Sequence, residues 1–305
     1  MSDLRVNLCG VELKNPVIAA SGTFGYGMEF AEFYPISKLG GISCKGTTLK
    51  ERQGNPAPRI AETPCGMLNS VGLQNPGVDV FLSTYLPWLK GQDTVVIANI
   101  AGHSVEEYGE MAERLRNSAV DMIELNISCP NVKEGGVNFG LSCDSVETVT
   151  AQVKKRCGDK PLMVKLTPNV ASIGEIAAAA EAAGADGLSL INTLTGMRVD
   201  IRSRRPILRN NTGGLSGPAV FPVAVRMVHE VYRRVKIPVV GMGGISTWED
   251  AAEMMIAGAT AVQVGAANFR DPYAMPKIID GLAAFADSQK LSSITELTGT
   301  LQEWG

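Results

Sequence analysis

The stretch AAGADGLSLIN, residues 182–192, reads as the end of a helix, a glycine turn and a short apolar strand, and IAGATAVQVGA, residues 256–266, repeats that plan. Working outward from this pair, six further apolar runs of strand length appear: PVIAAS from Pro16, GISCKG from Gly41, TVVIANI from Thr94, MIELNIS from Met122, PLMVKL from Pro161 and PVVGMG from Pro238. With GLSLINT from Gly187 and AVQVGA from Ala261 the strands number eight. Their near-continuous apolar character, rather than alternation, marks strands buried on both faces of a parallel sheet. Amphipathic stretches lie between them. SVEEYGEMAERLRNS from Ser104 puts Val105, Tyr108, Met111 and Leu115 on one face and opens on a capping box, Ser104 with Glu107. Ser172 with Glu175 starts another helix in the same way. A hairpin-like start, Leu4 to Lys14, turns near Cys9-Gly10. Eight strands, each followed by helical pattern, predict a TIM (β/α)8 barrel with a short N-terminal hairpin, one domain over residues 1–305. A doubly wound sheet is the alternative topology.

Composition narrows the function classes. Lys+Arg 28 against Asp+Glu 31 leaves a net charge of −3, without the basic footprint of a nucleic-acid binder. The most basic stretch, Arg198 to Arg209, is short and reads as a solvated loop. No uncharged run reaches the roughly 18 apolar residues of a membrane-spanning helix, and MSDLRVNLCG lacks the plan of a signal peptide. The six cysteines (Cys9, Cys44, Cys65, Cys129, Cys143, Cys157) form no CxxC pair, so neither a disulfide framework nor a metal site is expected. The expectation is a cytoplasmic chain with free thiols.

Polar residues fall where a barrel builds its active site, at the C-terminal ends of the strands. In chain order these ends give Ser21-Gly22, Lys45-Gly46, Asn99, then Asn126 with Ser128 and Cys129, Lys165, Asn192-Thr193, Gly243-Gly244 and Gly265-Ala266. Singly, each has an ordinary explanation: an Asn caps a loop, and a Lys snorkels to solvent. Together they describe a pocket rich in amides, with two lysines and one thiol. The glycine turns after the last two strands suit the usual barrel phosphate site. GTFGYG, residues 22–27, is not the dinucleotide fingerprint, and none follows any strand.

These motifs carry a resemblance. ELNISCPN (124–131), SGTFG (21–25), NSVGLQNPG (69–77), NTLTGM (192–197), TGGLSGPA (212–219) and GMGGI (241–245) resemble dihydroorotate dehydrogenases, over practically the whole chain. The loop CPNVKEGGVNFG (129–140) looks like the NAD-linked, two-subunit class rather than the fumarate-using homodimeric class. The membrane-associated class uses Ser as base and carries an N-terminal extension that is not seen here.

The resemblance implies that the chain oxidises (S)-dihydroorotate to orotate. Cys129 would take the C5 proton while the C6 hydride passes to N5 of FMN. Lys165 would lie at the flavin N1–C2=O edge, where a cation stabilises the charge of reduction, and Lys45 would touch both flavin and substrate. Asn69, Asn126, Asn192 and Thr193, with backbone N–H groups of Ser70, Val71, Gly72 and Leu73, would hold the pyrimidine amides and carboxylate; Asn both donates and accepts, as such a ring requires. Ser21, Gly46, Asn99, Asn126, Ile191, Gly217, Gly243, Gly244, Gly265 and Ala266 would line the FMN site, with no metal on this chain. Gly135-Gly136 would be hinges of a lid. The remaining five cysteines are expected to be buried, inert thiols. Electrons would leave through FAD and a 2Fe-2S cluster on a separate electron-transfer subunit, in a heterotetramer of two chains of each kind. The competing readings are the fumarate-using class, an FMN/Cys dihydrouracil or tRNA-dihydrouridine enzyme, a non-redox phosphate-binding isomerase or aldolase, and a binding scaffold on a dead barrel. The acidic balance disfavours tRNA.

Overall fold

The computed structural model describes residues 2–127 and 139–304. Eight parallel strands close into a barrel in chain order: β1 (Val17–Ala19), β2 (Gly41–Ser43), β3 (Val95–Ile100), β4 (Met122–Asn126), β5 (Leu162–Lys165), β6 (Gly187–Leu190), β7 (Val239–Met242) and β8 (Ala261–Val264), with β8 returning to β1. Each lies inside a run expected to be a strand. Their aliphatic side chains are buried against an outer ring that includes α1 (Val105–Arg116), α2 (Cys143–Arg156), α3 (Ile173–Ala182), α4 (Phe221–Tyr232), α5 (Trp248–Ile256) and α6 (Ala274–Ser288). In α1 the residues Tyr108, Met111 and Leu115 are buried, as the 3.6-residue period requires. None of the described helices is long and apolar enough to cross a membrane.

Three details depart from the sequence reading. After β1 the chain makes only the short 3-10 turns Phe30–Glu32 and Ile36–Lys38, where a full helix was expected. Gly22, Gly25 and Gly27, all at positive φ, and Pro35 interrupt helix propagation there. At α1, Ser104 Oγ accepts from Glu107 N, but the Glu107 carboxylate reaches back to His103 N rather than to Ser104. The complete capping boxes lie elsewhere, at Thr247 with Asp250 and at Ser293 with Glu296.

The third departure bears on function. Segments following β2 and β6 pair into a four-stranded antiparallel sheet, in the order Leu194–Gly196, Gly213–Ser216, Gly66–Asn69, Ile60–Thr63. Several of its residues line the barrel mouth, so it forms a roof there. The expected N-terminal hairpin is present as Val6–Leu8 with Val11–Leu13, turning at Cys9 (φ 54°) and Gly10 (φ 86°). Its turn meets the opposite end of the barrel, where Cys9 Sγ donates to Asp186 O just before β6. The basic stretch from Arg198 is a small exposed hairpin, Val199–Asp200 with Arg205–Pro206.

Candidate active site

Side chains from alternate strands of such a barrel share a layer, and that layer is ordinarily aliphatic. Here the even-numbered strands contribute Ser43, Glu124, Ser189 and Gln263, all essentially without solvent exposure. Glu124 is the centre. Its Oε1 accepts from Ser189 Oγ at 2.8 Å and Gln263 Nε2 at 2.7 Å. Its Oε2 accepts from Ser43 Oγ at 2.6 Å and from Asn99 Nδ2, on β3, at 2.6 Å. Lys165 Nζ, on β5, stands 4.0 Å from Oε2 and donates to Ser21 Oγ at 3.2 Å. Burial disfavours the charge, yet the Lys165 cation and the donors Ser43, Gln263 and Asn99 outweigh it and hold the Glu124 carboxyl below the usual glutamate range. A buried carboxylate so compensated stays ionised; with one partner missing it would be costly.

Above this layer opens the cavity. From the strand ends it is lined by Ser21, Lys45, Gly46, Asn99, Asn126, Lys165, Ile191, Asn192 and Thr193, and on its glycine-rich wall by Gly217, Gly243, Gly244, Gly265 and Ala266. The roof adds Asn69, and Val71, Gly72 and Leu73 follow it. Asn126 Nδ2 donates to Asn99 Oδ1 at 3.4 Å, Asn192 Nδ2 to Asn126 Oδ1 at 3.5 Å, and Thr193 N to Asn192 Oδ1 at 2.8 Å. Tyr108 of α1 donates to the Asn126 carbonyl at 2.8 Å and fixes the end of β4 from outside.

Ser70, at the head of the segment that follows Asn69, is fully buried, and its N–H donates to Arg59 O at 2.8 Å, beside the pairing that carries the roof. Cys129 lies outside the described residues, as do Ser128 and Gly135-Gly136. Of the other cysteines, Cys44 and Cys157 are buried, Cys9 and Cys143 half-buried and Cys65 exposed; all five are free. The expectation of a buried thiol therefore fails for Cys65, which sits in the tight turn between two roof strands. Burial pushes the Cys9 thiol up to about 12, and raises Cys44 and Cys157 as well.

Sequence reasoning gave no role to Glu124, Ser43, Ser189 or Gln263, nor to Ile60, Met67 and Leu215 of the roof, which also line the cavity. Each of the first four is a polar residue inside an apolar strand run of an even-numbered strand.

A parallel barrel whose strand ends gather amides and two lysines over a buried ionised carboxylate has the plan of a barrel enzyme's active site. The family model for dihydroorotate dehydrogenase matches residues 3–285. The "Dihydroorotate dehydrogenase B (NAD(+)), catalytic subunit" of Petrotoga mobilis is 52% identical over 301 residues, covering 99% of this chain and 100% of that protein. Its namesake in Bacillus cereus is 54% identical over 300 residues (98% and 97%), and that of Parabacteroides distasonis 54% over 303 residues (99% of each). The chain belongs to the dihydroorotate dehydrogenase family.

Proposed function

We propose that this chain oxidises (S)-dihydroorotate to orotate in the pyrimidine route to UMP, and that its electrons leave through a partner subunit to NAD. The observation that carries the reading is the meeting of Lys45 and Lys165 with Asn69, Asn126 and Asn192 in one cavity. A ring with imide carbonyls, N–H groups and a carboxylate needs groups that both donate and accept, beside fixed cations. The relatives' printed name, with its NAD(+) and its "catalytic subunit", supports the acceptor and the existence of a partner. In this reading the partner carries FAD and a 2Fe-2S cluster, two copies of each chain assemble, and the complex is cytoplasmic.

The cavity fits FMN. Gly265 has no left-handed backbone, and a Cβ there would make only ordinary contacts, Ala20 at 3.5 Å being the nearest. The fold alone does not demand glycine at that strand end, whereas a phosphate approaching the backbone does. Gly243 (φ 123°) and Gly244 (φ 82°) turn the chain at the end of β7, on the same wall. FMN held here supplies the acceptor for the C6 hydride. Lys165, held near Glu124 and Ser21, would offset charge on the reduced flavin, and Gln263 Oε1 is a buried acceptor in the cavity wall without a partner among the described residues. Asn69, Asn126, Asn192 and Thr193 orient the pyrimidine, and Cys129 takes the C5 proton.

The test is direct. The purified chain should be yellow and release FMN on denaturation, and dihydroorotate should bleach it anaerobically. NADH should form only when a second protein bearing FAD and a cysteine-bound cluster is supplied. A colourless chain that cannot be loaded with FMN would overturn the reading. Rapid turnover with fumarate would move the chain to the homodimeric class.

A further inference from the structure

An ionised carboxylate accepts hydrogen bonds and cannot donate. Asn99 must therefore present Nδ2 to Glu124 Oε2, which turns its Oδ1 toward Asn126. Asn126 answers with its own Nδ2, and its Oδ1 is left to accept from Asn192 Nδ2. The link at Glu124 is short and charge-assisted at 2.6 Å, while the outer two are 3.4 and 3.5 Å. Direction is thus set by the buried carboxylate at the Asn99 end, and Thr193 N, donating to Asn192 Oδ1, agrees with it at the other. Gln263 obeys the same rule on the other oxygen: Nε2 faces Glu124, so the unpartnered Oε1 is fixed as an acceptor.

We infer that Glu124 is a positioning residue that sets the donor–acceptor polarity of the amides in the cavity wall, and through them the orientation in which a flat ligand with alternating N–H and C=O groups binds. Glu124 itself does not line the cavity and has no solvent exposure, so it acts only through other residues. A carboxamide has nearly the same shape in either orientation. Without an acceptor that excludes one of them, Asn99 would present either pattern, and its contact with Asn126 would lose its set direction. The inference rests on the proposed dihydroorotate and orotate chemistry of the cavity.

A carboxylate needed only for packing gives the opposite mutational order from one that sets polarity. Glu124→Gln keeps the shape and brings an amide that can donate; Glu124→Asp keeps the charge and leaves a void. Wild type, E124Q and E124D, all loaded with FMN, are titrated with orotate by flavin absorbance, with thermal unfolding as the check on folding. Polarity setting predicts binding weaker by about tenfold or more in E124Q and within about threefold of wild type in E124D. E124Q binding like wild type, or E124D falling as far as E124Q, overturns the inference. If E124Q does not fold, E124D alone decides: retained binding supports it and a loss of about tenfold overturns it. A wild-type protein that takes up FMN but not orotate instead sinks the functional reading, before any variant is compared.

Discussion

The two ends of the barrel both carry carboxylates, and they use them differently. At the N-terminal end, Asp186, just ahead of β6, accepts Leu162 N of β5 at 2.7 Å and pairs with Lys154 at 2.5 Å. Asp121, just ahead of β4, does the same with Val96 N of β3 at 2.8 Å and with Lys90. Glu181 at the end of α3 accepts Lys236 N and Ile237 N ahead of β7. These groups are surface-accessible and tie each strand start to its neighbour. At the C-terminal end the charge pair is Glu124 with Lys165, whose side chains are 0% and 6% exposed against 34% for both Asp186 and Lys154. Water screens the first kind of pair, which is worth little beyond its backbone bonds. It screens the second much less, so that pair bears more strongly on whatever enters the cavity. One end stitches; the other holds a field.

Substitutions should separate the two. The largest effect is expected at the proposed base: Cys129→Ala should slow flavin reduction by dihydroorotate at least about 10²-fold while FMN and orotate still bind. Cys129→Ser should retain some activity, displaced to higher pH. Stopped-flow reduction is the measurement, and near-normal rates in the Ala variant would remove Cys129 as the base.

Next comes Lys165→Ala, which sharpens the comparison because it touches both chemistry and stability. Flavin potential should fall and FMN retention weaken, by dye equilibration and by cofactor loss on dialysis. The Glu124 carboxyl is held below its usual range in the folded protein, so its contribution to stability is full above that range and is lost as pH falls through the depressed value. Removing the Lys165 cation raises that value, and the acid-unfolding midpoint should move to higher pH.

At the other end, Asp186→Ala should cost about 1–2 kcal/mol of stability, the worth of its charge-assisted hydrogen bonds, and leave kcat unchanged. Chemical denaturation and steady-state assay together decide; a loss of kcat without loss of stability would break the division between the ends. The smallest effect is in thiol labelling. Among the five described cysteines, exposed Cys65 should alkylate first at pH 8, and Cys9, Cys44 and Cys157, their thiols raised by burial, should lag.

Most of the barrel was legible because parallel strands buried on both faces leave an apolar signature that a two-sided surface cannot imitate. Strand ends such as Lys45, Asn126 and Asn192 were legible for the same reason: a polar residue closing an apolar run has few places to go. Glu124 was not, since it sits within the run MIELNIS and its hydrogen-bond partners are on four other strands. The roof was hidden for a different cause. Gly66–Asn69 and Gly213–Ser216 are short and glycine-rich, so neither propensity nor alternation marks them. Their pairing is decided across the fold.

The roof also dictates an order of assembly. Asn69 pairs with Gly214, and its side chain reaches the Gly214 carbonyl from a partner 145 residues along the chain. Contacts of such separation form late, because the loop they close must first be ordered by something else. Here that something is the barrel from β2 to β6. A chain emerging from the ribosome can join these strands only after residue 216 has been made, so competence to bind ligand arrives as one of the last events of folding. Orotate-dependent flavin spectral change during refolding should therefore lag behind the recovery of helical circular dichroism.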